Sequence, residues 1–287
     1  MKICAISCVI TLIMATLCAA QERGEIAITL DDLPFVGTNS NDPGNVIRTH
    51  DRFMNIIQAL QKYQAPATGF VIAGAIGKGQ WELLNAFRDA GYGLGNHTYS
   101  HENLARISAE KYILNLDKAD KRLAQIMTSP KYFRYPYLAE GYGVKKQEVL
   151  DYLVAHQYVI APVSIDSKDY QFNARFLRYS WRIRTQHLQE IKRDYLAYIW
   201  KQTLRAEKIA NGKPVKQIIL MHSNLLNSLC LEDVLKMYQE HGYRFISLTE
   251  ALELPASQVA DNKTMFWKQT AIVGDDWQSM PKELSDS

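Results

Sequence analysis

Short apolar runs alternate along this chain with longer amphipathic segments, and this alternation constrains the fold more than any other feature of the sequence. Runs of three to six mostly apolar or aromatic residues predict strands. They are Ile26–Leu30, Thr68–Ile72, Tyr92–Gly95, Tyr132–Arg134, Tyr158–Val163, Gln217–Met221 and Tyr243–Ser247. Apolar residues at helical spacing lie between them. The clearest helical faces are Val46/Phe53/Ile57/Leu60, Ile113/Leu116/Leu123/Ile126, Ile191/Tyr195/Tyr198 and Leu231/Val234/Leu235/Tyr238.

Strands that alternate with helices pair in parallel, because each helix returns the chain to the same edge of the sheet. About seven such units predict an α/β fold, a deformed (β/α) barrel of parallel strands. A doubly wound open sheet is the alternative, but no glycine-rich phosphate-binding loop follows the first strand. The sequence there reads Asp31-Asp32-Leu33-Pro34 instead. A hydrophobic content of 47% over 287 residues is ample for the core of such a domain.

The N-terminus has the features of a removable export signal. Lys2 precedes an apolar run, and small residues at Cys18-Ala19-Ala20 precede the first acidic residue, Glu22. A membrane anchor is the alternative, although the run is short for a bilayer span. We therefore expect a periplasmic or secreted protein with no stable membrane anchor after signal removal. The predicted domains are a signal peptide at 1–20, one folded domain at 21–254 and a C-terminal extension at 255–287.

Signal removal would change both the cysteine count and the charge. Cys230 would be the single cysteine left, so no intrachain disulfide could form. Lys2 is the only charged residue lost, which leaves 32 of the 33 basic residues against 30 acidic ones. This balance, with no basic stripe among aromatic residues, argues against nucleic acid as a partner. The sequence does not indicate the oligomeric state.

The carboxyl ends of the predicted strands carry an unusual set of polar residues. In a parallel barrel these ends form the active face. The residues that follow the strands are Asp31, Asp32, Asn96, His97, Arg134, Tyr137, Asp166, Asp169 and His222. Carboxylates, imidazoles and an arginine converging on one rim favour a catalytic site. The other histidines, at positions 50, 156, 187 and 241, lie in or beside predicted helices and are interpreted as structural or solvated.

His97 and His101 have the spacing of a metal-binding pair. Two imidazoles four residues apart on a helical turn can present both rings to one ion. Either Asp31 or Asp32 could supply a third ligand from a neighbouring strand end. Two imidazoles and one carboxylate leave coordination positions open for water and substrate, as in catalytic metal sites.

The adjacent aspartates need separate roles. Side chains of neighbouring strand residues diverge unless the backbone turns, and Pro34 indicates a turn here. Two buried carboxylates without compensation would be costly. One carboxylate on a metal and one beside an arginine would remove that cost and leave the second able to accept a proton from water.

Five segments resemble the motifs of the polysaccharide deacetylase (NodB-homology) family, also called carbohydrate esterase family 4. The resemblance runs from about Ile26 to about Leu248, in the family's order. The segments are Thr29-Leu30-Asp31-Asp32, His97-Thr98-Tyr99-Ser100-His101, Arg134-Tyr135-Pro136-Tyr137, Asp166-Ser167-Lys168-Asp169-Tyr170 and Leu220-Met221-His222. Any one of them alone would be a weak indication, but five in order are a strong one.

The resemblance implies a role for each matching residue. Asp31 is the expected general base and His222 the general acid. The implied metal ligands are Asp32, His97 and His101. Arg134 would orient the base and pair with Asp169. The implied substrate contacts are the Tyr137 backbone amide, for the oxyanion, Tyr170 in the acetyl pocket, and Leu220 of the fifth motif.

Three positions depart from the family pattern. Leu33 stands where glycine usually follows the aspartates, and Tyr135 stands where proline is common. Tyr170 replaces the usual tryptophan, which keeps an aromatic wall but adds a hydroxyl that needs a partner. The first two departures affect loop shape more than chemistry.

The family implies an exported, metal-dependent deacetylase of peptidoglycan or chitin-type N-acetylglucosamine residues. Zn²⁺ is the expected metal, with Co²⁺ or Ni²⁺ as alternatives. An O-acetyl esterase acting on acetylated xylan is a second interpretation, since the same site could support it. A glycan-binding module with a vestigial site is a third.

Overall fold

The computed structural model describes residues 23–35, 43–77, 79–210 and 216–253. The predicted signal peptide at 1–20 and the predicted extension at 255–287 lie outside these residues. Within the described part, no helix has both the length and the apolar character needed to cross a membrane.

Eight strands and eight α-helices alternate through the described residues. The strands β1 to β8 are Gly24–Leu33, Ala67–Val71, Gly93–Asn96, Tyr132–Phe133, Val159–Ile160, Ile165–Asp166, Lys216–His222 and Tyr243–Ile246. The helices α1 to α8 are Pro43–Lys62, Gln80–Asp89, Ala109–Leu123, Gly143–Ala155, Asp169–Leu177, Leu188–Ile209, Asn227–Glu240 and Leu248–Ala251. Short 3₁₀ turns are found at Ala73–Ala75, Pro136–Leu138 and Arg184–His187.

The strands form one parallel sheet that curls into a half-barrel. Their order is β5-β4-β3-β2-β1-β7-β6, and β8 pairs with the first half of β1. Each pairing is parallel. The two ends of this path, β5 and β6, are joined by only residues 161–164, so the sheet edges approach each other. The predicted deformed barrel of about seven parallel strands is confirmed.

The core explains why the central strands read as nearly continuous apolar runs. A strand covered on both faces buries successive side chains rather than alternate ones. In β1, Ile26, Ala27, Ile28 and Leu30 are all fully buried or nearly so. Helices α1 and α7 cover one face of the sheet, where Phe53 joins the main core cluster.

The predicted strand Tyr158–Val163 is wrong in its extent, because only Val159–Ile160 form a strand there, β5, and the next strand, β6, begins beyond it at Ile165. Before Pro162, the Ala161 N–H donates to the carbonyl of Phe133 on β4. After it, the Ser164 N–H donates to the carbonyl of Ile218 on β7. Proline has no N–H for a ladder and interrupts the strand where the chain changes partner. Helices α2, α4, α5 and α8 were not predicted from the sequence.

Candidate active site

A cavity of about 370 Å³ opens at the carboxyl ends of the strands. It is lined by Asp31, Asp32, His97, His101, Tyr137, Leu138, Asp166, Tyr170, Asn173, Leu220, His222 and Asn224. The sequence motifs therefore converge on one concave site, with residues contributed by β1, β6 and β7 and by the segments that follow β3 and β4.

A backbone turn at the end of β1 separates the two aspartates. Asp32 has a φ of 60°, in the left-handed region, and the register between β1 and β2 shifts between Leu30 and Leu33. Asparagine and aspartate tolerate this region better than most other residues. Because of the turn, Asp31 faces Arg134 while Asp32 faces the two histidines.

His97 and His101 lie on an irregular loop rather than on the helical turn that we predicted. Two left-handed residues, Thr98 at φ 67° and His101 at φ 57°, fold this loop so that the two imidazole centroids are 4.9 Å apart. The two rings lie close together, as expected from their spacing, but a loop brings them together and not a helical turn.

Hydrogen bonds from neighbouring elements hold the loop. The N–H of His97 donates to the Val71 carbonyl, and the carbonyls of Thr98 and Tyr99 accept from Ala73 and Gly74. The remaining loop N–H groups are bound by side chains. Those of Tyr99 and Ser100 donate to the Asn115 amide oxygen, at 2.8 and 3.1 Å, and that of Thr98 donates to the Asn96 amide oxygen. The His101 N–H donates to the Thr98 hydroxyl at 3.0 Å.

Asp32, His97 and His101 form a candidate cation site, since one ligand atom from each lies within 4.8 Å of the others. Asp32 Oδ1 is 3.5 Å from His97 Nε2 and 3.3 Å from His101 Nε2. This oxygen is buried and makes no hydrogen bond to the described residues. A buried carboxylate oxygen without a donor needs an explanation, and a cation would supply one.

The state of His97 supports this reading of the donor set. Its Nδ1 lies 2.9 Å from the Arg134 carbonyl, which can only accept, so Nδ1 carries the proton. In the neutral ring, Nε2 then presents a lone pair toward the carboxylates. Burial, together with the nearby His101, holds the pKa of His97 well below its ordinary value. Burial also lowers the pKa of His101. Neutral imidazoles are the form that binds metals.

Asp31 is almost fully buried beside a fully buried arginine. Its Oδ1 accepts from Arg134 Nη1 at 2.9 Å, and the same nitrogen donates to the Thr29 hydroxyl at 2.7 Å. The rest of the guanidinium donates to the carbonyls of Ala161 and Pro162. Burial raises the pKa of Asp31 to about 6, although the positive charge of Arg134 opposes the rise. The carboxylate is therefore fixed in place and ionised near neutral pH.

The predicted ion pair between Arg134 and Asp169 is wrong, because Asp169 pairs with His222. Asp169 Oδ1 is 2.7 Å from His222 Nδ1, and Oδ2 accepts the His222 backbone N–H at 2.8 Å. Arg134 emerges from β4 and reaches Asp31, whereas Asp169 opens α5 directly beside β7. Sequence position alone could not show which partner Asp169 contacts, since Arg134 and His222 both lie at strand ends.

The Asp169 carboxylate strongly affects His222. Burial by itself would lower the pKa of His222, but the negative charge of Asp169 and its hydrogen bond outweigh burial and raise this pKa to about 10. Nδ1 donates to Asp169, so Nε2 is the nitrogen available to the cavity that His222 lines.

Two asparagines beyond the fifth motif complete this arrangement, and neither was predicted from the sequence. Asn224 and Asn227 donate through Nδ2 to Asp169 Oδ2, at 2.7 and 2.6 Å. Both are fully buried. The polar run Ser223-Asn224 directly after an apolar strand is the signal that could have indicated them. Thr29, whose hydroxyl contacts Arg134, was not predicted individually either, although it lies within the first motif.

The remaining predicted residues form the cavity wall. Tyr137 has a φ of 58° and its half-exposed ring lies 4.5 Å from the His101 ring. Tyr170 lies edge to face with His222, at a centroid distance of 5.9 Å. The Tyr170 hydroxyl, which needed a partner, accepts from Lys168 Nζ at 3.3 Å. Leu220 supplies a buried apolar side chain to the wall.

Comparison with known proteins agrees with the motifs. The family model described as polysaccharide deacetylase matches residues 19–159, just under half of the chain. The resemblance predicted from the sequence is confirmed, although the fourth and fifth motifs lie beyond the matched residues. A chitin deacetylase from Arthroderma benhamiae is 29% identical over 153 residues, which are 52% of this chain and 36% of that relative. A peptidoglycan-N-acetylglucosamine deacetylase from Bacillus cereus is 25% identical over 150 residues, which are 52% of this chain and 47% of that relative.

Solved structures share the fold. The polysaccharide deacetylase Bc1974 from Bacillus cereus has a TM-score of 0.56 at 23% identity, covering 84% of this chain and 99% of that one. A CE4 family pseudoenzyme from Bacillus anthracis also has a TM-score of 0.56, at 17% identity, covering 80% and 66% of the two chains. The chain spans between 36% and 56% of the length of the first three curated relatives that it matches. Since the fold includes a pseudoenzyme, the activity must be argued from the site.

Proposed function

We propose that this member of the polysaccharide deacetylase family is an exported, metal-dependent hydrolase that removes N-acetyl groups from peptidoglycan or chitin-type N-acetylglucosamine residues. One observation carries the proposal. An arginine-bound carboxylate, a carboxylate-bound imidazole and a three-residue candidate cation site line the same cavity. Export rests on the signal-like sequence of residues 1–20.

Asp32, His97 and His101 would hold the cation, because their ligand atoms already converge and one buried carboxylate oxygen has no donor. Two imidazoles and a carboxylate suit Zn²⁺, with Co²⁺ or Ni²⁺ as further candidates. A bound divalent cation supplies positive charge that polarises the acetyl carbonyl and acidifies a water molecule.

Asp31 is the proposed general base. Arg134 fixes its carboxylate through Oδ1, which leaves Oδ2 directed toward the histidine side of the cavity, 3.7 Å from His97 Nε2. A pKa of about 6 lets this carboxylate be ionised at neutral pH and still accept a proton from water as the water oxygen attacks the acetyl carbon.

His222 is the proposed general acid. Asp169 stabilises its protonated form, so His222 can donate the Nε2 proton to the amide nitrogen while the carbon–nitrogen bond breaks. The products are acetate and a free amine. The proton taken by Asp31 and the proton given by His222 balance the reaction, and exchange with solvent restores both groups.

The walls would position the acetyl group. We assign Tyr170 and Leu220 to the pocket for its methyl group, because both line the cavity and Tyr170 packs against His222. The backbone N–H of Tyr137 is the proposed oxyanion donor, and such a donor contributes about 3 kcal/mol in other hydrolases.

The test is acetate release by the full chain after loading with Zn²⁺, Co²⁺ or Ni²⁺. Chitooligosaccharides, peptidoglycan and acetylated xylan are compared, with His97→Ala as the inactive variant. We expect release from the N-acetylated glycans that depends on metal and disappears in His97→Ala. Release from acetylated xylan alone would assign the chain as an esterase. Glycan binding without acetate release at any metal loading would indicate a binding module.

A further inference from the structure

We propose that the side chains of Asp120, Tyr158 and Asn96 form a positioning relay that holds the His97–His101 loop in its metal-binding shape. This inference rests on the proposed function, because it assigns the relay's purpose to the candidate cation site. None of the three side chains lines the cavity, so the relay acts through the loop and not on substrate.

The relay is a continuous chain of short hydrogen bonds. The Tyr158 hydroxyl donates to Asp120 Oδ1 at 2.6 Å and accepts from Asn96 Nδ2 at 2.7 Å. Asn96 Oδ1 then accepts the Thr98 N–H at 2.7 Å. At the outer end, Lys131 Nζ lies 2.7 Å from Asp120 Oδ1 and 4.2 Å from the centre of the Tyr158 ring. A partly exposed ion pair is thereby connected to the backbone between the two imidazoles.

The chemistry of the end groups fixes the direction of every bond. A backbone N–H can only donate, so the atom of Asn96 that faces Thr98 must be its oxygen. The Asn96 amide nitrogen then faces the Tyr158 oxygen and, at 3.5 Å, the Leu116 carbonyl. The Tyr158 proton must therefore go to Asp120. With no freedom to reverse, the Asn96 side chain holds a single orientation.

The loop needs such support because its backbone is strained. Thr98 has a φ of 67°, and a β-branched residue in the left-handed region is a strained outlier. Asn96 binds the N–H of this same residue, and the Thr98 hydroxyl in turn binds the N–H of His101. Asn115 holds Tyr99 and Ser100 independently, so loss of the relay should loosen the loop without unfolding it.

The chain provides a matched control for removing the Tyr158 hydroxyl. Tyr158 and Tyr112 are both fully buried and lie in the same core cluster. The Tyr112 hydroxyl, unlike that of Tyr158, makes no hydrogen bond to the described residues. Tyr158→Phe and Tyr112→Phe therefore remove the same atom from the same core, and only the first breaks the relay.

The experiment measures Zn²⁺ affinity of the metal-free full chain by competition with a chelator, and the visible absorption of the Co²⁺-loaded protein. Thermal unfolding of each metal-free variant is recorded alongside. We expect Tyr158→Phe to weaken Zn²⁺ binding by about 10-fold, within the range found for residues that orient metal ligands, and to change the Co²⁺ spectrum. Tyr112→Phe should match the parent in both measurements.

The outcomes separate this inference from the proposed function. If the parent chain binds Zn²⁺ and Tyr158→Phe binds it equally well with the same Co²⁺ spectrum, the relay is refuted and the proposed function stands. If Tyr112→Phe weakens binding as much as Tyr158→Phe, the effect belongs to core packing and the relay is again refuted. If the parent chain binds no divalent metal, the proposed function fails together with the relay.

Discussion

Both sides of the cavity combine aspartate with histidine, but the pKa values of the histidines shift in opposite directions on the two sides. On the ligand side, Asp32, His97 and His101 face one another, and burial lowers the pKa of both histidines. On the acid side, Asp169 is surrounded by donors from His222, Asn224 and Asn227, and the pKa of His222 rises to about 10.

The difference shows that the environment, and not the residue type, assigns each imidazole its role. His97 has its Nδ1 proton directed at a neutral carbonyl, and burial together with the nearby His101 keeps the ring neutral even though Asp32 Oδ1 lies 3.5 Å from its Nε2. His222 has the same proton directed at a carboxylate, which stabilises the protonated ring. The first arrangement suits binding a cation and the second suits donating a proton.

Removing one of the proposed metal ligands should have the largest effect on activity. We expect His97→Ala to lose metal binding and to lower kcat/KM by about 10³-fold or more, because a cation supplies several kcal/mol of charge stabilisation. Acetate release and Zn²⁺ titration measure the two effects. The matched control is His50→Ala, since His50 is exposed and lies on α1, and it should match the parent. Equal activity of His97→Ala and His50→Ala would contradict the cation site.

Removing the acid should give a smaller loss that leaves metal binding intact. In His222→Ala the leaving nitrogen has no proton donor, so we expect kcat to fall by about 10²-fold to about 10⁴-fold. Zn²⁺ affinity should stay within about 3-fold of the parent, since His222 is not a ligand in the proposed site. A variant that lost metal binding as completely as His97→Ala would remove the distinction between the two sides.

The fold and the residues that line the cavity could be predicted from the sequence, whereas some of the contacts among those residues could not. Alternating apolar runs predicted the parallel barrel, and polar residues at strand ends predicted which side chains meet. The predicted contacts were wrong where a residue had two possible partners. Asp169, for example, could have reached Arg134 or His222. Which one it contacts depends on the order of β4, β1 and β7 across the sheet, and the sequence does not state that order.

Local backbone shape was the second limit. The spacing of His97 and His101 fits a helical turn, but the left-handed conformation of Thr98 makes a loop instead. No propensity favours that conformation for threonine, and it persists because Asn96 and Asn115 bind the surrounding N–H groups. These contacts come from residues outside the motif, so the motif alone could not reveal them.

Neutralising the charge of Asp169 should make the electrostatic environment of His222 more like that of His97 and His101. Asp169→Asn removes the charge that raises the pKa of His222, so this pKa should fall from about 10 by about 1–3 units. His222 must be protonated to act as an acid, so activity is lost as pH rises through its pKa. The alkaline limb of kcat/KM should therefore shift to lower pH in the variant. An alkaline limb at the same pH in both proteins would contradict the assignment of His222.

The smallest effect is expected from removing the Tyr170 hydroxyl, which is the polar group that this tyrosine adds to the aromatic wall of the cavity. Its bonds to Lys168 and Gln171 are long, at 3.3 and 3.4 Å, and the side chain is partly exposed. Such bonds contribute little net free energy, because water replaces them. We therefore expect Tyr170→Phe to change kcat/KM by less than about 3-fold.

Tyr170→Ala provides the comparison, since it removes the ring that packs against His222 as well as the hydroxyl. We expect it to lower kcat/KM by about 10-fold, because the acetyl group loses an apolar wall and water gains access to the acid. Steady-state kinetics on one chitooligosaccharide measures both variants. If kcat/KM fell as far in Tyr170→Phe as in Tyr170→Ala, the Tyr170 hydroxyl would be a substrate contact. The cavity wall beside His222 would then bind substrate through a polar group.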